Sequence, residues 1–306
     1  MPIARSVATR SPPHALAAGA LLALALLPAH AAVDKLLLTG GVTSIDGAAG
    51  GGLTPWAVIG SNATEGETGV SATVTAVRTD GYRMMVYGAA VGWNDRVELS
   101  VAHQDFDTGD TGTALGLPGL HLKQDIVGAK LRVYGNAVLD SDRWAPQLAV
   151  GLEWKQLDAG GLEPTLQSLG AATHGTDFYV SATKLFLAQG ILVNGSLRLT
   201  KANQNGLLGF GGSAHDGYSL QPEVSVAWLA NRRLAFGFEY RAKPDNLNPS
   251  ALADGLKEDD WADLFVAWAP CKYVSLTAAW VDLGKIVPAI ATKRQAGGYL
   301  SAQLAF

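Results

Sequence analysis

The sequence has little charge and only one cysteine. Charged residues make up 16% of its 306 residues, whereas soluble domains average about 25%. Cys271 is the one cysteine, which excludes a disulfide framework and a cysteine-cluster metal site. The formal net charge of -4 argues against a nucleic-acid partner, because neutralising phosphates requires a basic surface.

Long apolar runs are absent except near the start of the chain, where one has the form of a secretory signal peptide. Two arginines precede an apolar stretch at residues 15–27, which is too short to cross a bilayer as a helix. Pro28 ends the stretch, and residues 29–31 (Ala-His-Ala) match the small-residue pattern of a cleavage site. We therefore predict a cleaved signal peptide at residues 1–31, with a retained anchor as the alternative.

Beyond residue 31, apolar residues are dispersed at a period of two, which indicates strands with two different faces. In residues 147–155, for example, one face carries Leu148, Val150, Leu152 and Trp154, and the other carries Gln147, Glu153 and Lys155. Most such segments are longer than typical globular strands and fit a tilted bilayer crossing. We predict twelve strands, at residues 70–79, 83–93, 96–106, 120–134, 144–157, 177–187, 191–200, 219–229, 233–243, 261–269, 273–283 and 297–306.

The connections between these strands alternate between short and long, as in outer-membrane barrels, where short turns are periplasmic. Aromatic residues near the strand ends favour the same assignment, because such rings collect at the two bilayer interfaces. We therefore predict an all-β fold, a transmembrane antiparallel β-barrel in the bacterial outer membrane. The expected belts comprise Trp93, Tyr134, Trp144, Trp228, Trp268, Tyr273 and Phe306 at the short turns, and Tyr82, Phe106, Trp154, Tyr179, Tyr240, Trp261 and Trp280 at the long loops.

The glycine-rich segment at residues 32–68 precedes the predicted barrel, which spans residues 69–306. Glycines allow close backbone approach and positive φ angles. Pro55 lies inside the second apolar run of the segment, which argues against a central strand there. Two interpretations remain open: a plug in or below the lumen, or a further hairpin that would raise the strand number to fourteen.

The last strand ends on Phe306, and its alternate residues share one face. This arrangement resembles the terminal strand of bacterial outer-membrane barrels, which the barrel-assembly machinery recognises. We therefore expect two partners, outer-membrane lipid and that machinery. The predicted assembly signal consists of Leu300, Ala302, Leu304 and Phe306.

The chain also resembles an uncharacterised proteobacterial family of outer-membrane β-barrel proteins, a domain of unknown function. The resemblance is carried by residues 37–42 (LLTGGV), 51–57 (GGLTPWA), 87–92 (YGAAVG) with 96–100 (RVELS), and 122–130 (LKQDIVGAK). It implies the location and the fold, and it brings no activity and no catalytic residues.

Candidate catalytic groups are sparse. Ser213, His215 and Asp216 lie together in a glycine-rich outer loop, which lacks the rigid support that a catalytic triad needs. His103 could face outward near the outer interface, as in barrel lipases, but no serine has a convincing partner. The acidic residues of segments 105–110 and 257–260 are interpreted as solvated loop residues. We therefore predict no enzyme, no metal and no cofactor.

The informative charges are those predicted to face inward, because a charge facing lipid at mid-bilayer costs about 2–4 kcal/mol. If water fills the lumen, their slight cationic excess would favour anions; if they pair with each other, the barrel would be sealed. The leading hypothesis is a channel or transporter for small solutes, and the alternative is a structural or docking barrel with binding loops. A lipid hydrolase that uses His103 is a third hypothesis. The predicted lumen-lining residues are Arg96, Glu98, Lys130, Arg132, Glu153, Lys155, Arg198, Glu223, Glu239 and Arg241.

Overall fold

The computed structural model describes residues 35–138, 140, 143–248 and 254–306, and the predicted signal peptide lies outside them. The fold is all-β, with a two-stranded sheet and a closed barrel of twelve strands. Strands β1 (Val42–Thr43) and β2 (Ala49–Gly50) form the small sheet. The barrel strands are β3 (Thr68–Thr79), β4 (Arg83–Trp93), β5 (Val97–Asp107), β6 (His121–Tyr134), β7 (Gln147–Asp158), β8 (His174–Phe186), β9 (Ile191–Thr200), β10 (Ser219–Asn231), β11 (Leu234–Arg241), β12 (Trp261–Cys271), β13 (Val274–Asp282) and β14 (Ala296–Ala305).

Each barrel strand pairs antiparallel with its neighbours in the chain, and β14 pairs with β3 to close the barrel. The prediction of twelve strands is confirmed, and β4 and β9 have the predicted bounds. Strand β5 begins one residue later than predicted, because Asn94 and Asp95 have positive φ angles of 55° and 46° and form a tight turn. Among the described residues, no helix has both the length and the apolar character needed to cross a membrane.

Side chains alternate between the two faces of the barrel wall, as the period of two predicts. In β12, Leu264 and Val266 are exposed on the outward face, whereas Asp263 and Phe265 are buried on the inward face. The predicted belt at the short turns faces outward, since all seven of its rings are exposed. The belt at the long loops is partly wrong, because strand alternation turns four of its rings into the barrel: Tyr82, Phe106, Tyr179 and Trp261.

Two glycines on the inward face make room for aromatic rings of the next strand. Gly151 pairs with Tyr179, and a Cβ atom at Gly151 would lie 2.2 Å from the tyrosine ring. Gly237 pairs with Phe265 in the same way, again at 2.2 Å. A side chain at either position would displace the ring, so these glycines set how aromatic residues fit inside the barrel.

The N-terminal segment lies inside the barrel, and from here on residues 42–60 are called the luminal segment. All of these residues are buried. Strands β1 and β2 pair with each other and not with the barrel wall, which excludes the fourteen-stranded alternative. Both ends of the segment leave the lumen on the short-turn side, where Lys35 pairs with Asp95 at 2.7 Å and the Asn62 amide donates to the Lys272 carbonyl at 2.8 Å.

The long loops carry short helices that the sequence analysis did not predict: α1 (Gly109–Ala114), α2 (Glu163–Ser168) and three 3-10 turns. The loop between β9 and β10 folds inward, and its residues 202–212 are buried. Its Leu207 and Leu208 join an apolar cluster at the outer end of the lumen with Phe106 and Trp261. Residues 203–210 are called the outer lid below, because they cover the lumen on the long-loop side.

Candidate functional site

The lumen is filled by polar contacts between the luminal segment and the barrel wall. The Glu98 carboxylate accepts hydrogen bonds from the amides of Ala49 (2.9 Å) and Gly60 (2.6 Å). The Glu239 carboxylate accepts from the Leu53 amide at 2.8 Å and the Thr54 hydroxyl at 2.6 Å. Backbone groups removed from water need partners, and these two wall carboxylates supply them.

A second set of contacts surrounds Pro55, whose missing amide leaves only a carbonyl to be satisfied. This carbonyl accepts from the hydroxyls of Ser181 (3.1 Å) and Ser196 (2.8 Å) and from the Asn194 amide (3.2 Å). Two residues on, the Ala57 amide donates to the Thr183 hydroxyl at 2.8 Å. The wall of β8 and β9 is therefore lined by small polar groups that hold the segment through its backbone.

Asp46 provides the charged contact of the luminal segment. Its carboxylate lies 2.8 Å from the Arg241 guanidinium, 3.4 Å from the Lys155 ammonium and 3.8 Å from the Arg198 guanidinium. It also accepts a hydrogen bond from the Asn205 side-chain amide at 2.7 Å. Since Asn205 belongs to the outer lid, this one carboxylate joins the segment, the wall and the lid.

The wall charges around Asp46 also pair with each other. Arg198 contacts Glu153 at 2.7 Å and Glu223 at 2.6 Å. Lys155 lies 3.0 Å from Asp177, and Arg241 lies 3.1 Å from Glu223. The wall thus contributes three cations and three carboxylates, which are mutually compensated without the luminal segment. The members of this wall cluster are Lys155, Arg198, Arg241, Glu153, Asp177 and Glu223.

A separate ion pair anchors the outer lid. The Lys243 ammonium lies 3.0 Å from the Glu258 carboxylate and donates to the Gln204 side chain at 2.6 Å. Burial lowers the pKa of Lys243 and raises the pKa of Glu258, while the attraction between the two opposes both shifts. Glu258 also accepts from the Gln204 amide at 2.9 Å. Its expected place in a solvated loop was therefore wrong, because the inward fold of the lid covers it.

Eight of the ten residues predicted to line the lumen are buried and point inward: Glu98, Lys130, Glu153, Lys155, Arg198, Glu223, Glu239 and Arg241. Arg96 is a correction, since it is exposed in the turn that delays the start of β5. Arg132 is half-buried near the short-turn rim, where its guanidinium lies 2.6 Å from Asp95. Both arginines therefore stand at the mouth of the barrel and not in its interior.

Three buried carboxylates were missed by the sequence analysis: Asp46, Asp177 and Asp263. The alternation in β8 and β12 could have placed Asp177 and Asp263 inward, whereas Asp46 lies in a glycine-rich stretch without periodicity. Among the described residues, the interior below the lid holds seven carboxylates against four cations, Lys130, Lys155, Arg198 and Arg241, while the buried Lys243 and Glu258 pair with each other at the lid. The expected cationic excess, and the anion preference derived from it, are thus corrected by the structure.

The candidate catalytic histidines lie away from the lumen. His103 and Asp125 pair across β5 and β6, with 2.7 Å between the imidazole Nδ1 and the carboxylate. Both alternate with residues that point inward, so the pair lies on the outer surface of the barrel. His215 and Asp216 are exposed in the loop after the lid, and Asp216 pairs with Lys201.

A family model described as "Protein of unknown function (DUF3034)" matches residues 39–303, which confirms the resemblance noted in the sequence. A search of curated proteins finds no match. Among solved structures, the chain is similar to the KdgM porin, at 8% identity and a TM-score of 0.47 over 78% of this chain and 99% of the other. It is also similar to the outer membrane protein Omp33 of Acinetobacter baumannii, at 9% identity and a TM-score of 0.41 over 78% of this chain and 97% of the other. A third similar structure is outer membrane phospholipase A of Escherichia coli, at 8% identity and a TM-score of 0.42 over 78% of this chain and 92% of the other.

Proposed function

We propose that this chain, which belongs to the family of proteins of unknown function DUF3034, is a small-solute channel of the bacterial outer membrane. The luminal segment holds this channel closed. The observation that carries this proposal is the polar contact between the segment and a wall whose central charge cluster, around Asp46, is already paired. Three features of the lumen support it, and they concern polarity, charge balance and the course of the chain.

The first feature is polarity. A permanent filling of a barrel is normally built from interdigitating side chains. This segment packs some apolar side chains against the wall, such as Trp56 and Val58, but it is also held through its backbone by groups such as Ser181, Thr183 and Asn194. Exchange of such hydrogen bonds for bonds to water costs only about 0.5–1.5 kcal/mol each. The exposed wall would then present hydroxyl, amide and charged groups, which suit a water-filled channel.

The second feature is the charge balance of the wall cluster. Removal of one partner from a buried ion pair normally leaves an uncompensated charge, at a cost of about 3–5 kcal/mol. Here the departure of Asp46 leaves three cations opposite three carboxylates in the wall. The wall cluster can therefore release Asp46 without stranding a charge of its own.

The third feature is the course of the chain. Both ends of the luminal segment lie on the short-turn side, close to Asp95 and Lys272 respectively. Withdrawal toward that side therefore requires no threading of the chain through the barrel. The outward belt of exposed Trp93, Trp228 and Trp268 on the same side supports placement in a bilayer, with this side in the periplasm.

Single-channel recording in planar bilayers tests the proposal. We compare the full mature chain, a variant that lacks residues 42–60, and a variant that also has a shortened lid at residues 204–209. Full-length protein should give rare or brief openings, and the deletion variants should give long, stable current steps. Asp216→Asn serves as the matched control, because this carboxylate pairs with Lys201 on the surface, where it is 72% exposed. Silence from the doubly shortened variant, shown by protease protection to be folded and inserted, would contradict the proposal.

The closed outer end favours a second candidate, a structural or docking barrel. Its outer lid is held by the Lys243–Glu258 pair and by apolar packing of Leu207 and Leu208. A barrel without conductance in every variant, combined with an envelope defect after loop deletion, would support this candidate over the channel.

A further inference from the structure

Three small cavities lie along β12. The outer one, of about 30 Å³, lies beside the luminal segment and is lined by Trp261 of β12 and by Phe106 and Tyr299. The middle one, of about 20 Å³, also lies beside this segment and is lined by Phe265. The third, of about 40 Å³, is lined by Ala269 and by residues that flank the segment on the short-turn side.

Two carboxylates separate the outer cavity from the middle one. Asp263 lies between Trp261 and Phe265 on the inward face of β12, and it pairs directly with Glu239 of β11. The two side chains are 2% and 0% exposed. Residues directly opposite in an antiparallel pair have Cβ atoms about 4.5–5.5 Å apart, so two acids share one small buried space.

Neither carboxylate of the pair forms an ion pair with a described residue, although Arg241 attracts Glu239 from a greater distance. Glu239 accepts hydrogen bonds only from the luminal segment, at Leu53 and Thr54. The neighbouring inward cation, Arg241, forms its ion pairs with Asp46 and Glu223. Two unpaired carboxyl groups in a buried space are unfavourable unless a proton or another cation joins them.

Unpartnered polar atoms surround the same pair. Within the described part of the chain, Asp263 Oδ1, the Ser225 hydroxyl and the Tyr299 hydroxyl are buried without a hydrogen-bond partner. Ser225 pairs directly with Glu239 across β10 and β11. Tyr299 and Glu239 both approach Gly52, since a Cβ atom there would lie 3.2 Å and 3.5 Å from their oxygens. Most buried polar atoms have hydrogen-bond partners, so this group of unpartnered polar atoms favours a ligand-binding role for the pair.

We propose that Glu239 and Asp263 bind the ammonium group of a small organic cation, whose apolar body occupies the outer cavity. This inference rests on the proposed channel function and names its solute class. The cavity wall is almost wholly apolar, and the ring of Tyr299 adds a favourable cation–π face. The Trp261 ring already has the Lys243 ammonium 4.6 Å from its centroid. The one charged residue that lines the cavity, Arg83, has an exposed side chain. The seven-to-four excess of interior carboxylates favours the same sign of solute.

The cavity in the closed structure is too small for such a solute. A volume of about 30 Å³ holds about two water molecules. An organic cation with an aromatic body must therefore displace part of the luminal segment or the lid. Glu239 holds the segment through Leu53 and Thr54. A ligand that takes over these carboxylate contacts would shift the population toward the open form.

Calorimetric titration of the full mature chain in detergent tests this site. The probe is 2-phenylethylammonium, and the comparison probes are 2-phenylethanol, 3-phenylpropionate and methylammonium. Asp263→Asn is the main variant, because Asp263 Oδ1 has no hydrogen-bond partner among the described residues and the change keeps the shape of the side chain. Asp80→Asn, an exposed carboxylate in the β3–β4 turn, is the matched control.

We expect 2-phenylethylammonium to bind at least tenfold more tightly than 2-phenylethanol. Asp263→Asn should lower the affinity for 2-phenylethylammonium by roughly tenfold or more. Methylammonium should bind much more weakly, since it lacks the apolar body. Absence of arylammonium binding, equal binding of the alcohol, equal binding of methylammonium or an unchanged affinity in Asp263→Asn would each overturn the proposed site. These results are independent of conductance, so a failure of the site and a failure of the channel can be told apart.

Discussion

Replacing Asp46 by asparagine should loosen the luminal segment and raise the open probability of the channel. The substitution keeps the shape of the side chain, and an amide oxygen can still accept a hydrogen bond from Arg241 or Asn205. It removes the charge that faces Arg241 at 2.8 Å, Lys155 at 3.4 Å and Arg198 at 3.8 Å. The wall cluster stays balanced, so the change acts on docking of the segment and leaves the barrel wall intact.

The size of the effect follows from these contacts. A hydrogen bond to a charged group contributes about 1.5–3 kcal/mol, against about 0.5–1.5 kcal/mol for a neutral one. The two longer ion pairs add Coulomb attraction, but the desolvation of the buried carboxylate offsets much of it. A net loss of about 1.5–3 kcal/mol of docking free energy is therefore expected, and every 1.4 kcal/mol corresponds to a factor of ten. The open probability should rise by about tenfold to a hundredfold while the closed state dominates.

Single-channel recording of Asp46→Asn beside the wild-type protein measures this ratio directly. Asp216→Asn is the control, because its surface pair with Lys201 should contribute less than about 1 kcal/mol. An inserted Asp46→Asn protein with an open probability within twofold of the wild type would refute the role of Asp46 in holding the segment. A loss of heat-modifiable migration in gels would show instead that the charge is needed for the barrel itself.

Three further outcomes are expected. Gly51→Ala should displace the segment, because its Cβ atom would lie 1.9 Å from the Glu239 carboxylate; protease cleavage within the segment would increase, and unchanged cleavage would argue against the observed packing. Arg198→Leu should lower barrel stability by about 3–5 kcal/mol, since the carboxylates of Asp46, Glu153, Asp177 and Glu223 would then share only two cations, Lys155 and Arg241. Thermal unfolding followed by gel migration measures the loss. Phe306→Ala should reduce the yield of assembled barrel in cells while detergent refolding proceeds; equal yields in membranes would remove Phe306 from the assembly signal.

Much of the barrel could be predicted because its signals are local. A period of two is read over a few residues, so β4 and β9 were placed with their observed bounds. The same alternation predicted eight charged residues to face inward, because a charged side chain that faces lipid has a high free-energy cost. The prediction for Arg96 was wrong because Asn94 and Asp95, both with positive φ angles, form a turn before β5. Alternation of apolar residues does not encode such a turn.

The site was less accessible from the sequence, because its contacts join residues far apart in the chain. Asp46 meets Arg241 across nearly two hundred positions, and no spacing or motif connects them. The inward fold of the lid depends on Gln204 and Asn205, both with positive φ angles, and on buried partners such as Glu258. Such a loop is indistinguishable by composition from a solvated one, so the prediction for segment 257–260 is wrong at the buried Glu258, whereas Lys257 and Asp260 are exposed.

Alternation along single strands is sufficient to predict a barrel of at least twelve strands and the inward face of most of them, because the contrast between lipid and lumen acts on every strand separately. The choice between a filled lumen and two further strands needed the folded structure, because the glycine-rich segment has no period of its own and takes its shape from the wall. The folded structure also placed the Asp46 carboxylate inside, which no alternation in that segment could have predicted.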